Sequence, residues 1–228
     1  MRPMLRYALL ALPLAAACNS SSTTAPANSA ELRVINASPD AGPLDVYFQG
    51  QLAVDSLPYS FANPYLFVQS GAADLTVRAH GAINLLLESA PTFATGSFYT
   101  YAVSGPSTAL TSVLLTDDTT SAPSGSFKLR MVHLAPAGPA MDLYYTGPTD
   151  DITTATPIVT GLAFKGASAY LTPATGSGRL RVTQAGTKTV LIDSGTLTFS
   201  NSDVATLFVI GSAANGGGAP YSGQLLNP

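Results

Sequence analysis

The sequence predicts an all-β protein, two tandem antiparallel β-sandwich domains, on three observations. Apolar residues recur with a period of two. Glycine and proline, 20 and 17 of 228 residues, punctuate the chain every ten positions or so. The opening of the body is written twice.

The period identifies the strands. Leu44, Val46 and Phe48 alternate with Asp45, Tyr47 and Gln49. Leu75, Val77 and Ala79 alternate with Thr76, Arg78 and His80, and Tyr99, Tyr101 and Val103 with Thr100 and Ala102. Leu180 and Val182 alternate with Arg179, Arg181 and Thr183. Successive side chains of a strand point to opposite faces, so each segment reads as half buried. No stretch after the leader carries a capped helical face.

The duplication sets the domain plan. Leu32, Arg33, Pro39, Asp45, Tyr47 and Gly50 recur as Leu129, Arg130, Pro136, Asp142, Tyr144 and Gly147, each 97 positions later. Tyr65 and Gly81 recur as Tyr170 and Gly186, now 105 positions later. The second copy therefore gains eight residues, placed near Pro148 to Pro157. Copies of this length are domains rather than solenoid repeats. Residues 31–116 form the first sandwich, 117–126 a linker without apolar period, and 127–228 the second. The layout is immunoglobulin-like in architecture only, because the chain has no Trp and its single Cys lies in the leader.

Composition narrows the role. A chain that is 46% hydrophobic and only 10% charged is not a disordered one. A net charge of -3 gives no basic footprint for nucleic acid. Residues 1–17 carry Arg2 and Arg6 ahead of a short apolar run interrupted by Pro13, the pattern of a secretory signal. Leu14-Ala15-Ala16-Ala17-Cys18 resembles the bacterial lipobox, which implies cleavage before Cys18 and its acylation. Asn19 then implies the outer membrane of a two-membrane cell. Residues 18–30, polar and containing Pro26, read as a flexible tether. The expected partners are a membrane, through the lipid, and a protein or glycan outside the cell; plain secretion is the alternative.

The repeated opening carries a further resemblance. Arg33-Val34-Ile35-Asn36-Ala37-Ser38-Pro39-Asp40-Ala41, followed by Leu44-Asp45-Val46-Tyr47, resembles the signature of domain of unknown function 4397. Arg130-Met131-Val132-His133-Leu134-Ala135-Pro136, with Met141-Asp142-Leu143-Tyr144, matches it less closely. The resemblance implies a β-sandwich outside the cytoplasm and no chemistry.

The residues themselves point away from an enzyme. The first copy has Asn36, Ser38 and Asp40; the second has His133, Ala135 and Ala137. Neither keeps a base beside a nucleophile, so a tight turn is expected there instead. His80 is expected on the solvent side of its strand. Two isolated histidines suggest no zinc site, and no cofactor or metal is expected. Asp117-Asp118 and Asp150-Asp151 read as solvated turns, and Gly216 to Gly218 as a surface loop. Arg33 with Asp45, and Arg130 with Asp142, share a spacing that suggests a cross-strand ion pair in each domain. Tyr47 and Tyr144, expected to be exposed, are the candidate ligand contacts. The reading is a non-enzymatic cell-envelope lipoprotein with structural or protein-interaction roles; the alternative is a carbohydrate- or small-ligand-binding surface module.

Overall fold

Among the described residues there are seventeen strands, numbered along the chain. The computed structural model describes residues 25–211 and 221–228. The leader, Cys18, most of the tether and Gly216 to Gly218 lie outside the described residues.

The first half has two main sheets facing each other. One runs β10 (Thr111–Asp117), β9 (Phe98–Ser104), β1 (Ser29–Asn36), β4 (Leu66–Gln69). The other runs β3 (Gln51–Leu57), β2 (Leu44–Phe48), β6 (Leu75–Ala79), β7 (Leu85–Ser89). A small pair, β5 (Gly71–Ala72) and β8 (Thr92–Phe93), flanks them. The second half also has two facing sheets, one of three strands and one of four. It sets β11 (Lys128–His133), β16 (Val204–Gly211) and β17 (Tyr221–Leu226) against β13 (Val159–Leu162), β12 (Met141–Thr146), β14 (Gly176–Gln184) and β15 (Val190–Phe199).

The pairing departs from the expectation in one respect. β1 runs parallel to β9, and β11 parallel to β16. A parallel neighbour needs a long crossover, and here the chain's excursion through the opposite sheet supplies it.

The alternating residues do face inward. Leu32, Val34, Leu44, Val46, Leu75, Val77 and Tyr101 meet in one core. Leu129, Met131, Leu143, Leu180, Val182 and Val209 meet in the other. A third cluster lies between the halves. Ile35, Ala37, Ala102 and Leu115 from the first pack with Val132, Leu134, Phe208 and Ile210 from the second. The strands β1, β9, β11 and β16 are therefore buried on both faces. Each large side chain so covered stabilises by about 1.5–3 kcal/mol, enough to hold the halves together.

Two boundaries shift. Ser29 and Ala30, expected in the tether, already form β1 and are buried. Asp117, expected in a solvated linker, ends β10 and is buried, because the second half covers it. The extra residues of the second half sit between β12 and β13. The equivalent first-half turn is only Gln49 and Gly50, both left-handed with φ of 49° and 75°, as a two-residue hairpin turn demands.

Candidate functional site

Asp45 and Asp142 organise the same corner of each half. The N–H groups of Ser56 (2.8 Å) and Gly81 (3.2 Å) donate to the Asp45 carboxylate. Those of Gly161 (2.7 Å) and Gly186 (2.8 Å) donate to that of Asp142. Each carboxylate ties a β-bulge on one neighbouring strand of its sheet to the turn that follows the neighbour on the other side, β6 or β14, satisfying two backbone donors that the ladder leaves over. The bulge residue is left-handed in both halves: Ser56 at φ 49°, Gly161 at φ 60°.

A second pair of positions locks the opening turn. Asn36 accepts the Ser38 N–H on Oδ1 and donates from Nδ2 to the carbonyls of Gly42 and Leu57. His133 does the same with a ring. Its Nδ1 accepts the Ala135 N–H at 3.2 Å and its Nε2–H donates to the Pro139 carbonyl at 2.9 Å. The imidazole is thereby fixed in one neutral tautomer. Burial pushes its pKa down, more than the Pro139 bond raises it. Ser38 Oγ donates to the Gly105 carbonyl, and Asp40 accepts from the Ser107 N–H and hydroxyl. The opening turn expected at this motif is what these bonds build.

The expected ion pairs do not form. β1 and β2 belong to different sheets with an apolar core between them, so Arg33 and Asp45 point to opposite sides of the sandwich. The same holds for Arg130 and Asp142 across β11 and β12. Both arginines instead reach into the boundary. Arg33 donates from Nε and Nη2 to Thr100 Oγ1, and from Nη1 to the Asn227 carbonyl of the second half. Arg130 donates to Thr206 Oγ1, and from Nη1 to the Thr116 carbonyl of the first half. Tyr65 and Tyr170 lie under the two guanidinium groups at 4.7 and 4.6 Å.

Asp117 sits between them with its side chain fully buried. It accepts from Arg130 Nη2 at 2.5 Å, Thr100 Oγ1 at 2.5 Å and the Tyr65 hydroxyl at 2.6 Å. Arg33 Nη2 stands 3.7 Å away. Burial, then the Asp117 bond, push the Tyr65 phenol well above its usual range. Asp118, next along, is held at about 2 by hydrogen bonds from Lys128 and Thr120. The pair Asp150 and Asp151, by contrast, does serve exposed turns, accepting from Gly147 and Thr153.

The tyrosines stand on the outer sheet faces. Tyr47 is half-buried beneath Arg78, 4.7 Å from its ring centre. Tyr144, expected to be exposed, is 2% exposed, since Lys188 lies over it at 4.5 Å. It lines an open depression of about 580 Å³ with Asp142, Pro157, Thr160 and Thr187. A second depression, about 480 Å³, is walled chiefly by Leu180, Leu191, Ile192, Leu197 and Leu225. Its one acid, Asp193, is already bonded to Arg179.

One cluster has no forerunner in the sequence reading. His80 follows β6 in a turn, and its Nδ1 lies 2.9 Å from Asp45 Oδ1 and 3.4 Å from Asp55 Oδ1. One donor atom from each of the three falls within 4.8 Å of the others. The bond to Asp45 raises the His80 pKa. Burial pushes the Asp45 pKa up, but the bonds from Ser56, His80 and Gly81 outweigh it and the net shift is downward. Only the hairpin and bulge geometry brings residues 45, 55 and 80 together, so no local motif announced them.

Among solved structures, the chain is similar to the family CBM26 module CBMbc of Eubacterium rectale Amy13K, in complex with maltoheptaose. The match has a TM-score of 0.28 and 11% identity over 87% of this chain and 97% of that one. It is similar also to a structure described as α-glucan binding by a streptococcal virulence factor, with TM-score 0.28, 10% identity and coverage of 78% and 91%. A family 41 carbohydrate-binding module structure from streptococcal virulence factors gives 0.28 and 12%, covering 78% and 92%. No ligand is assigned to this chain from these likenesses. No curated protein matches it. The sequence profile of DUF4397, "Domain of unknown function", matches residues 30–144, just over half of the chain. That stretch runs from β1 through Tyr144 and contains the Arg33, Asn36, Asp45 and Asp117 positions described above, and on it the chain belongs to the DUF4397 family.

Proposed function

We propose that this protein is a non-enzymatic binding module of the cell envelope, held to a membrane by lipid on Cys18 and built from two copies of one immunoglobulin-like sandwich. Corresponding residues making corresponding bonds in both halves support the duplication. The observation that carries the non-enzymatic reading is the commitment of the catalytic-looking side chains. Asn36, Ser38, Asp40 and His133 are all bonded to turns. A general base needs a free lone pair aimed at substrate, and both nitrogens of His133 are engaged with backbone. The two halves then present sheet edges and loops to a protein partner from a rigid body. Mass spectrometry of the mature N-terminus tests the anchor: an acylated Cys18 is expected, and an unmodified one would defeat it. Cys18→Ser should move the protein from the membrane to the soluble fraction.

A second reading, a small-ligand or glycan module, is favoured by one feature. The depression beside Tyr144 combines an aromatic ring, the Lys188 ammonium and the hydroxyls of Thr160 and Thr187. A glycan array on the purified protein separates the two. Saturable sugar binding that falls in Lys188→Ala and Tyr144→Ala supports the glycan reading; no binding supports the protein-partner one.

A further inference from the structure

We propose that Asp45, Asp55 and His80 form a binding site for one divalent transition-metal ion of the zinc class, with water completing its shell. The spacing of the donors is the first argument. Ligands about 2.1 Å from zinc stand roughly 3.0 Å apart at a right angle and roughly 3.4 Å apart at the tetrahedral angle. His80 Nδ1 is 2.9 Å from Asp45 Oδ1 and 3.4 Å from Asp55 Oδ1. Two of the three donor pairs already stand at ligand-to-ligand distances, and all three donors lie within 4.8 Å of one another, so an ion that displaces the proton shared by His80 Nδ1 and Asp45 needs only a small closure of the two carboxylates.

The second argument is support. The Asp45 carboxylate is oriented by the Ser56 and Gly81 N–H groups, the kind of outer contact that fixes a metal ligand. A carboxylate has about four lone-pair sites, so accepting two backbone bonds leaves capacity for an ion. Asp55 and His80, with side chains 65% and 49% exposed, give an ion direct access from solvent.

The third argument comes from the other half. Asp142 holds the same two N–H bonds, yet Thr160 and Ala185 stand where Asp55 and His80 stand in the first half. The backbone lock thus needs neither an imidazole nor a second carboxylate. His80 and Asp55 are additions to a corner that is complete without them. One imidazole nitrogen with two carboxylate oxygens suits zinc or a neighbouring transition metal better than calcium, which takes six to eight oxygens.

Isothermal titration calorimetry with ZnCl2 on untagged, chelator-stripped protein tests the site. One ion per chain is expected. His80→Ala and Asp55→Asn should each weaken binding by at least about tenfold. Both variants should keep the wild-type circular dichroism spectrum, because the second half folds with Ala and Thr there. Thr160→Asp combined with Ala185→His should raise the stoichiometry to two. Absence of saturable binding, undiminished affinity in both single variants, or an unchanged stoichiometry after the graft would each overturn the assignment.

Discussion

Asp45 and Asp142 perform the same task in the two halves, accepting two backbone N–H groups that tie a bulge to a turn. Their surroundings differ. Asp45 also faces His80 and Asp55, whereas Asp142 lies beside Thr160, Gly161 and Lys188 at an open depression. The common part is what the fold requires, and the differing part is where a function can reside. Asn36 and His133 teach the same lesson in reverse. An amide and an imidazole, chemically unlike, fill one structural role because each offers an acceptor to the residue two places on and a donor to the one six places on.

The boundary offers the strongest way to break this comparison. Asp117→Ala leaves Arg130 buried without its carboxylate and should cost about 3–5 kcal/mol in urea unfolding. The two arginines are not equal there. Arg130 bonds Asp117 directly and Arg33 does not, so Arg130→Ala should lower the unfolding midpoint further than Arg33→Ala. Equal losses would mean that the shared contacts, to threonine and a carbonyl across the boundary, carry the stability.

His133→Leu should cost about 1–3 kcal/mol, because it strands the Ala135 N–H and the Pro139 carbonyl in the interior. His133→Asn should recover most of that loss, since Asn36 shows that an amide can make both bonds. Loss of the rescue would show that the ring's packing against Gly138 matters more than its hydrogen bonds. A Cβ at Gly138 would approach His133 Cε1 to 2.9 Å, so the space around the ring is already filled.

The two histidines should also separate by pH. His133 has a lowered pKa in the folded chain, so the unfolded chain binds the proton more readily between that value and the ordinary 6.5. Its contribution to stability is present above 6.5 and is lost as pH falls toward the folded value. His80 has a raised pKa, so its contribution is present below 6.5 and is lost as pH rises through the folded value. An NMR titration in chelator should place one midpoint on each side of 6.5. Two midpoints on the same side would contradict the assigned surroundings.

Ser56→Gly should have the smallest effect. Ser56 holds a left-handed conformation that its counterpart Gly161 adopts without a side chain. Relief of that strain, offset by the greater freedom of glycine in the unfolded chain, should leave a gain of about 0.5 kcal/mol in urea unfolding.

Much of the fold was legible from the alternation of Leu44, Val46 and Phe48 and its counterparts, because a period of two states which face is buried. Thr100 and Ala102 were not legible as buried, since alternation assigns them to solvent and only the opposing half covers them. Arg33 and Asp45 were visible as a recurring pair, but sequence spacing cannot tell a cross-strand neighbour from a residue across a sandwich. The Asp117 contacts were hidden for the same reason: an aspartate beside Thr and Ser reads as a turn until a second half is packed on it. The corner at His80 depends on a bulge at Ser56 and a turn at Gly81, neither of which leaves a local pattern linking residues 45, 55 and 80.

Urea unfolding of Asp142→Ala against His80→Ala tests most directly whether the shared positions hold the fold while the unshared ones are free for function. At a pH above the folded His80 value, where the charged contact of His80 with Asp45 is gone, the account predicts a loss of about 2–4 kcal/mol for Asp142→Ala, from two backbone donors left unpaired, and an unchanged midpoint for His80→Ala. A neutral Asp142→Ala, or a destabilised His80→Ala, would contradict it.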